Sequence, residues 1–219
     1  MKSKRLKAIL AYLSPEDCII DVGCDHAYIA IEIAKLGCKK VLATDISQGA
    51  IQIAKRNIEQ QGLSKIIKTQ KCDGLKGVDE NAYNTIVIAG MGASTMMDIL
   101  SPASLKRIKK IILQSNNDLE ELRRFMTQLD YHLADETVVL EKKHYYTIMK
   151  YEKGRKELEE IEYQCGLYKS ENKDYYEFLN HKLEEILEKL PTEQDEKKAY
   201  IEAQKERLQI YLNKENRTI

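Results

Sequence analysis

A chain of 219 residues has room for one ordinary domain and a small appendage. Lys+Arg and Asp+Glu both number 35, so no overall basic charge advertises nucleic acid, and the charged N-terminus lacks the long apolar run of a signal peptide or a membrane span. The cysteines at 18, 24, 38, 72 and 165 form neither a CxxC nor a metal-ligand spacing, which argues against zinc and a disulfide framework and fits a reducing cytosol.

Up to residue 152, short apolar runs alternate with amphipathic stretches. A helix fits 4–13, and Cys18-Ile19-Ile20 opens a strand over 18–23 that leads into a helix over 26–36. Strands over 40–45, 66–72, 85–90 and 110–115 then alternate with helices over 47–61, 93–106 and 118–129. Such alternation predicts a parallel, doubly wound α/β sheet. Two more strands, 132–140 and 144–151, are joined by Glu141-Lys142-Lys143 and are expected to form an antiparallel hairpin at one edge.

Beyond Gly154 close to half the residues are charged, and Leu179, Leu183, Ile186 and Leu190 recur at the spacing of an a/d stripe. Pro191 interrupts, Thr192 and Asp195 supply a helix-start signal, and Ile201, Leu208 and Leu212 mark a second helix. This reads as a coiled-coil-like helical hairpin, with a further helix over 155–168. Two domains are expected, 1–152 and 153–219. The first holds 22 basic and 19 acidic groups and the second 13 and 16.

The stretch that speaks to chemistry is Asp21-Val22-Gly23-Cys24-Asp25-His26-Ala27-Tyr28, together with Thr44-Asp45 and Cys72-Asp73-Gly74 at the next two strand ends. A glycine lets a nucleotide-type ligand approach the first turn, and an acid about 20 residues on holds a ribose diol. A dinucleotide fingerprint anchored on Gly23 needs glycines where Asp25 and Tyr28 stand, and a carboxylate there repels a pyrophosphate. S-adenosylmethionine has no phosphate and carries an amino cation and a sulfonium, so the sign of the charge favours it over NAD. On this reading Asp21 and Gly23 meet the methionine end, Asp45 and its neighbour Ile46 the ribose, and Asp73-Gly74 the adenine. Ser47 caps the following helix and frees Asp45.

Ala89-Gly90-Met91-Gly92 ends the fourth strand, where paired glycines bring the backbone close to a ligand; Ala89, Gly90 and Gly92 are assigned to the cofactor. Amino-directed methyltransferases carry an Asn/Asp-Pro-Pro-aromatic acceptor sequence at this place. Its absence argues against methylation of an exocyclic nitrogen.

These segments, with Leu113-Gln114-Ser115-Asn116, Leu122-Arg123, the opening Lys4-Arg5-Leu6 and Tyr146-Thr147-Ile148, resemble the bacterial tRNA (adenine-22-N1)-methyltransferase family, TrmK. The resemblance covers residues 3–152 in sequence and the helical tail in architecture only. Ser115 stands where proline is expected and Ala93 where a third glycine is common, and neither change removes a polar catalytic group. The resemblance implies a class I methyltransferase, Rossmann-like fold and methyl transfer from S-adenosylmethionine to N1 of adenine-22 in the D-arm region of tRNA. Asp25, His26, Tyr28 and Met91 are then the candidate catalytic residues, with His26, Tyr28 and Tyr146 as aromatic platforms for an extruded base.

The expected RNA contacts are Lys4, Arg5 and Lys7 beside Lys2, then Arg123 and Tyr146; Arg124, Lys142 and Lys143 are scattered candidates. Lys106, Arg107, Lys109 and Lys110 precede a strand and are expected at the sheet end away from the cofactor. No metal and no membrane partner are expected. A monomer is expected, with a weak dimer as the alternative. Two other readings stay open, a methyltransferase of a small molecule or protein and an inert methyltransferase-like interaction protein.

Overall fold

Parallel strands covered on both faces read as unbroken apolar runs, and the central strands here do so. Ile19-Ile20, Ile86-Val87-Ile88 and Ile111-Ile112-Leu113 are fully buried. The computed structural model describes residues 3–191 and 194–214. In chain order it holds α1 (Lys4–Ala11), β1 (Cys18–Val22), α2 (Tyr28–Lys35), β2 (Lys40–Asp45), α3 (Gln48–Gln60), β3 (Ile67–Lys71), β4 (Thr85–Met91) and α4 (Ala93–Leu100). There follow β5 (Lys110–Ser115), α5 (Leu119–Gln128), β6 (Tyr131–Glu141), β7 (His144–Lys153), α6 (Glu160–Cys165), α7 (Lys173–Lys189) and α8 (Asp195–Leu212).

The strands form one sheet in the order β3-β2-β1-β4-β5-β7-β6. β1 to β5 are parallel, and β7 runs antiparallel between β5 and β6. The order reverses at β1 and β4, the topological switch point where open α/β sheets bind ligands. Ile9 and Leu10 of α1, Ile31 and Ile33 of α2 and Ile51 and Ile58 of α3 pack with Ile19, Val41, Val87 and Ile112 on one face. Side chains alternate along a strand, so Ile20, Ile86, Ile88 and Leu113 serve the opposite face. Burying each such side chain favours folding by about 1.5–3 kcal/mol.

Two helices differ from the sequence expectation. α2 begins at Tyr28, two residues late, because Asp25 and Ala27 adopt left-handed backbone angles (φ 48° and 59°) that carry the chain out of the β1 turn. α4 ends at Leu100, with Pro102 two residues on, instead of running to 106.

The chain divides into two compact units, Met1–Lys156 and Glu157–Ile219. In the second, α7 and α8 run antiparallel: Gln209 donates to Asn180 (3.0 Å) and Lys205 pairs with Glu184 (2.7 Å). Its core is aromatic more than leucine-based. Tyr175, Tyr176 and Tyr211 are buried with Ile161, Cys165, Ile201 and Leu208, and the rings of Tyr176 and Tyr211 meet edge to face at 5.2 Å. The leucine stripe is correspondingly weak, since Leu179, Leu183 and Leu190 are half-buried and Ile186 is exposed. α6 is shorter than the expected 155–168, and Glu159 and Glu162 close a capping box at its start. Thr192 lies outside the described residues. Among those described, no helix is long and apolar enough to cross a membrane and no side-chain group could hold a metal ion.

Candidate active site

The turn after β1 is shaped by the conformations its residues adopt. Gly23 sits at φ +69°, and a Cβ there would lie 2.1 Å from the terminal methyl of Met91. The backbone angle is what calls for glycine here, and the Met91 methyl fills the space beside it. Cys24 N–H then donates to the Thr44 carbonyl (2.8 Å), which ties the β1 turn to β2.

Two carboxylates organise this turn. Asp21 is 2% exposed, and its side chain accepts the Ala30 N–H of the first turn of α2 at 3.3 Å. Burial pushes its pKa up to about 7, the Ala30 hydrogen bond opposes the shift, and the nearby Asp45 charge adds to it. Asp45 at the end of β2 accepts the Ser47 N–H (2.9 Å) through one oxygen and the Asp25 N–H (3.1 Å) through the other. Ser47 does cap α3 by accepting from Ala50 N–H, yet Asp45 is not free as expected: it holds both flanking loops. Each of its oxygens keeps a lone pair for a further donor.

On the exposed side of the turn, the rings of His26 and Tyr28 stack at 5.4 Å with 16° between planes, and Tyr28 is 60% exposed. His26 Nε2 lies 3.7 Å from Asp25, and Asn57 holds the His26 carbonyl (3.0 Å).

The β4 loop faces this turn. A bulge in the β4–β5 pairing falls at Gly90 (φ +83°), and Asn116 donates to the Gly90 carbonyl at 2.9 Å. Gly92 precedes α4 without a side chain to cap it, and Asn117 supplies the acceptor to Ala93 N–H from the β5 loop (3.0 Å). Gln114 is fully buried; it accepts from the Arg5 guanidinium (3.1 Å) and donates to the Ser115 carbonyl. Arg5 also lies over the Tyr146 ring, 5.2 Å from its centroid.

These pieces enclose a cavity of about 1080 Å³. It brings together Asp21, Gly23, Asp45, Ile46, Asp73, Gly74, Ala89 and Gly90 with Asp25, His26, Tyr28, Met91 and Arg5. Gly92, Lys4, Lys7 and Tyr146 are not among the residues that line it. The charge of the wall is acidic: Asp21, Asp25, Asp45, Asp73, Glu80 and Asp98 against Arg5 and Lys76, and Lys76 is paired with Asp73. Ile46 is 65% exposed, an apolar surface next to the Asp45 carboxylate.

Arg123 is a correction. It is fully buried and both Nε (3.3 Å) and a terminal nitrogen (2.8 Å) reach one oxygen of Glu136, which is itself buried, so it is no RNA contact. Lys110 is likewise engaged, in an ion pair with Asp17 (2.7 Å) and a hydrogen bond to the Tyr12 carbonyl. Sequence reasoning also missed Asn57, Asn117 and the Arg5–Gln114 bond. The run Gln114-Ser115-Asn116-Asn117 at the end of an apolar strand is the signal that could have marked this network.

The fold and the site define a methyltransferase. The family described as "Methyltransferase domain" matches residues 2–149, and the chain belongs to it. Within that family its likeness is to TrmK, the tRNA (adenine-22-N1)-methyltransferases. It is 30% identical over 155 residues to the Bacillus subtilis tRNA (adenine(22)-N(1))-methyltransferase, an alignment spanning 69% of this chain and 65% of that one. The structure of M. capricolum TrmK with the natural cofactor product S-adenosyl-homocysteine matches at TM-score 0.85 and 27% identity, over 97% of this chain and 98% of that one. A protein of the NADB-Rossmann superfamily from Streptococcus agalactiae matches at TM-score 0.88 and 28% identity, over 97% of both chains.

Proposed function

We propose that this protein binds S-adenosyl-L-methionine and transfers its methyl group to N1 of adenine-22 in the D-arm region of tRNA, as a cytoplasmic monomer. The observation that carries the reading is the likeness to a TrmK over 97% of the chain, which takes in both compact units. The cavity supports the cofactor assignment. Its acidic wall suits a cationic ligand and opposes a pyrophosphate.

When bound, S-adenosyl-L-methionine supplies an electrophilic methyl group on a sulfonium. Asp45 would accept the ribose hydroxyls and Ile46 would offer an apolar face beside them. Asp73 would hold the adenine end and Asp21 the amino group. The residues nearest the reacting side, Asp25, His26, Tyr28 and Met91, align the base and exclude water. N1 of adenine carries a lone pair, so no base needs to act first, and orientation alone supplies about 7–11 kcal/mol of the acceleration. The stacked His26 and Tyr28 rings offer a face on which an extruded base gains about 1–3 kcal/mol.

Primer extension tests the product. An N1 methyl blocks the pairing edge and stops reverse transcriptase, so extension on tRNA treated with the protein and cofactor is expected to stop in the D-arm region. Read-through, with the methyl on N6 by nucleoside mass spectrometry, would defeat the reading.

Asp21 gives the cofactor site a pH dependence. Its folded pKa of about 7 lies above the unfolded value of 3.8, so the free protein gains stability from it in acid and loses that gain as pH rises through 7. An ammonium partner favours the carboxylate, and binding below pH 7 therefore releases a proton. Affinity for S-adenosylhomocysteine is expected to rise from pH 6 to 7.5, approaching about tenfold per pH unit below the pKa, and then level off. Calorimetry in two buffers of different ionisation enthalpy measures the released proton, and Asp21→Asn is expected to abolish it.

A further inference from the structure

The two-residue connection between β6 and β7 is unusual for its residues. Glu141 pairs with His144, which leaves Lys142 and Lys143 as the whole turn, and both have positive φ (50° and 66°). Turns of this shape favour Asn-Gly, because a left-handed backbone costs a side-chain-bearing residue such as lysine about 1–2 kcal/mol. The chain places two ammonium groups where a stabler turn was available.

The turn lies against the start of α1. One Glu141 oxygen accepts both the Ser3 hydroxyl (2.9 Å) and the Arg5 N–H (3.1 Å). Lys4 stands between those two partners, and Lys142 follows Glu141 directly. Lys4, Lys142 and Lys143 are exposed and form no ion pair among the described residues. Glu141, next to Lys142 in the chain, is already engaged by the start of α1. Ser3 and Arg5 line the cavity, and the β6–β7 turn lies beyond the carboxyl end of β5, the end of the sheet that carries the site.

We infer that Lys4, Lys142 and Lys143 form a phosphate-binding rim that holds the RNA backbone beside the nucleotide entering the cavity. The inference rests on the tRNA reading above and adds where the backbone runs. In a chain of zero net charge, RNA affinity has to come from local sets of cations. The β6–β7 turn lies past the carboxyl end of β5, whereas Lys106, Arg107 and Lys109 precede β5 at its amino end.

The test is the double variant Lys142→Asn, Lys143→Gly, which removes both charges and keeps the turn type. Its melting temperature is expected to equal or exceed that of the parent, and S-adenosylhomocysteine affinity is expected to be unchanged. Binding of unmodified tRNA is expected to weaken, and the slope of log K against log salt to become shallower by about 1.4–1.8, the value for two lost phosphate contacts. Lys106→Ala with Lys109→Ala serves as the control and is expected to leave the slope alone. An unchanged slope in the first variant, or an equal change in the control, would overturn the inference. If the parent methylates tRNA while the slope stays fixed, the rim alone fails. If the parent neither binds nor methylates tRNA, the reading beneath it fails as well.

Discussion

Arg123→Ala is expected to lower unfolding stability by about 3–5 kcal/mol, the cost of leaving one charge of a buried pair without its partner. Arg123 and Glu136 are both wholly enclosed, one on α5 and one on β6, and the guanidinium makes two contacts to the same carboxylate oxygen. A domain of this size has about 5–15 kcal/mol to lose, so the single change removes a large fraction. Replacing both, Arg123→Met with Glu136→Leu, is expected to cost far less, because no charge is stranded. Urea unfolding followed by circular dichroism measures both. If the single variant were as stable as the double, the pair would not be doing what its geometry implies.

Asp45→Ala is expected to weaken S-adenosylhomocysteine binding by at least about 100-fold. Each ribose hydroxyl bonded to a carboxylate contributes about 1.5–3 kcal/mol, and about 1.4 kcal/mol is a factor of ten. The structure adds a second source of loss, since the same carboxylate holds the Ser47 and Asp25 amides and releases both loops when removed. Asp45→Asn keeps one acceptor oxygen and is expected to fall between. Calorimetry gives the affinities, and an unchanged far-ultraviolet spectrum establishes that the domain stays folded. Affinity equal to the parent's would move the ribose contact elsewhere.

The strand-end carboxylates were legible in the sequence because strand ends are where an open α/β sheet presents side chains to a ligand. Asp21 and Asp45 could be placed from apolar runs and spacing alone. Their local duties could not, because which backbone amides a carboxylate accepts depends on left-handed residues such as Asp25 and Ala27 that no periodicity reveals. Arg123 misled for the opposite reason. Its charge suggested surface, yet Leu119, Leu122, Arg123 and Met126 form an i, i+3, i+4, i+7 stripe, and Glu136 lies on a strand packed against that helix. A basic residue in an apolar stripe with an acid nearby in the sequence is a buried pair more readily than a ligand contact. The tail was read rightly as a helical hairpin, with Ile201 and Leu208 in its core, but the tyrosines that share that core lie outside the leucine stripe.

The placement of β7 inside the sheet leaves β3 and β6 as the two strands with an unpaired side. β3 is only five residues long, Ile-Lys-Thr-Gln-Lys, and its lysines discourage another chain from adding there. β6 is eleven residues long and so the more dangerous side. It is interrupted where its pairing slips between Leu133 and Asp135, and α1 lies along it, with Tyr12 bonded to Thr137 and Ser3 to Glu141. A short charged rim on one side and a kinked, helix-covered one on the other protect the sheet from edge-to-edge aggregation when the protein is concentrated.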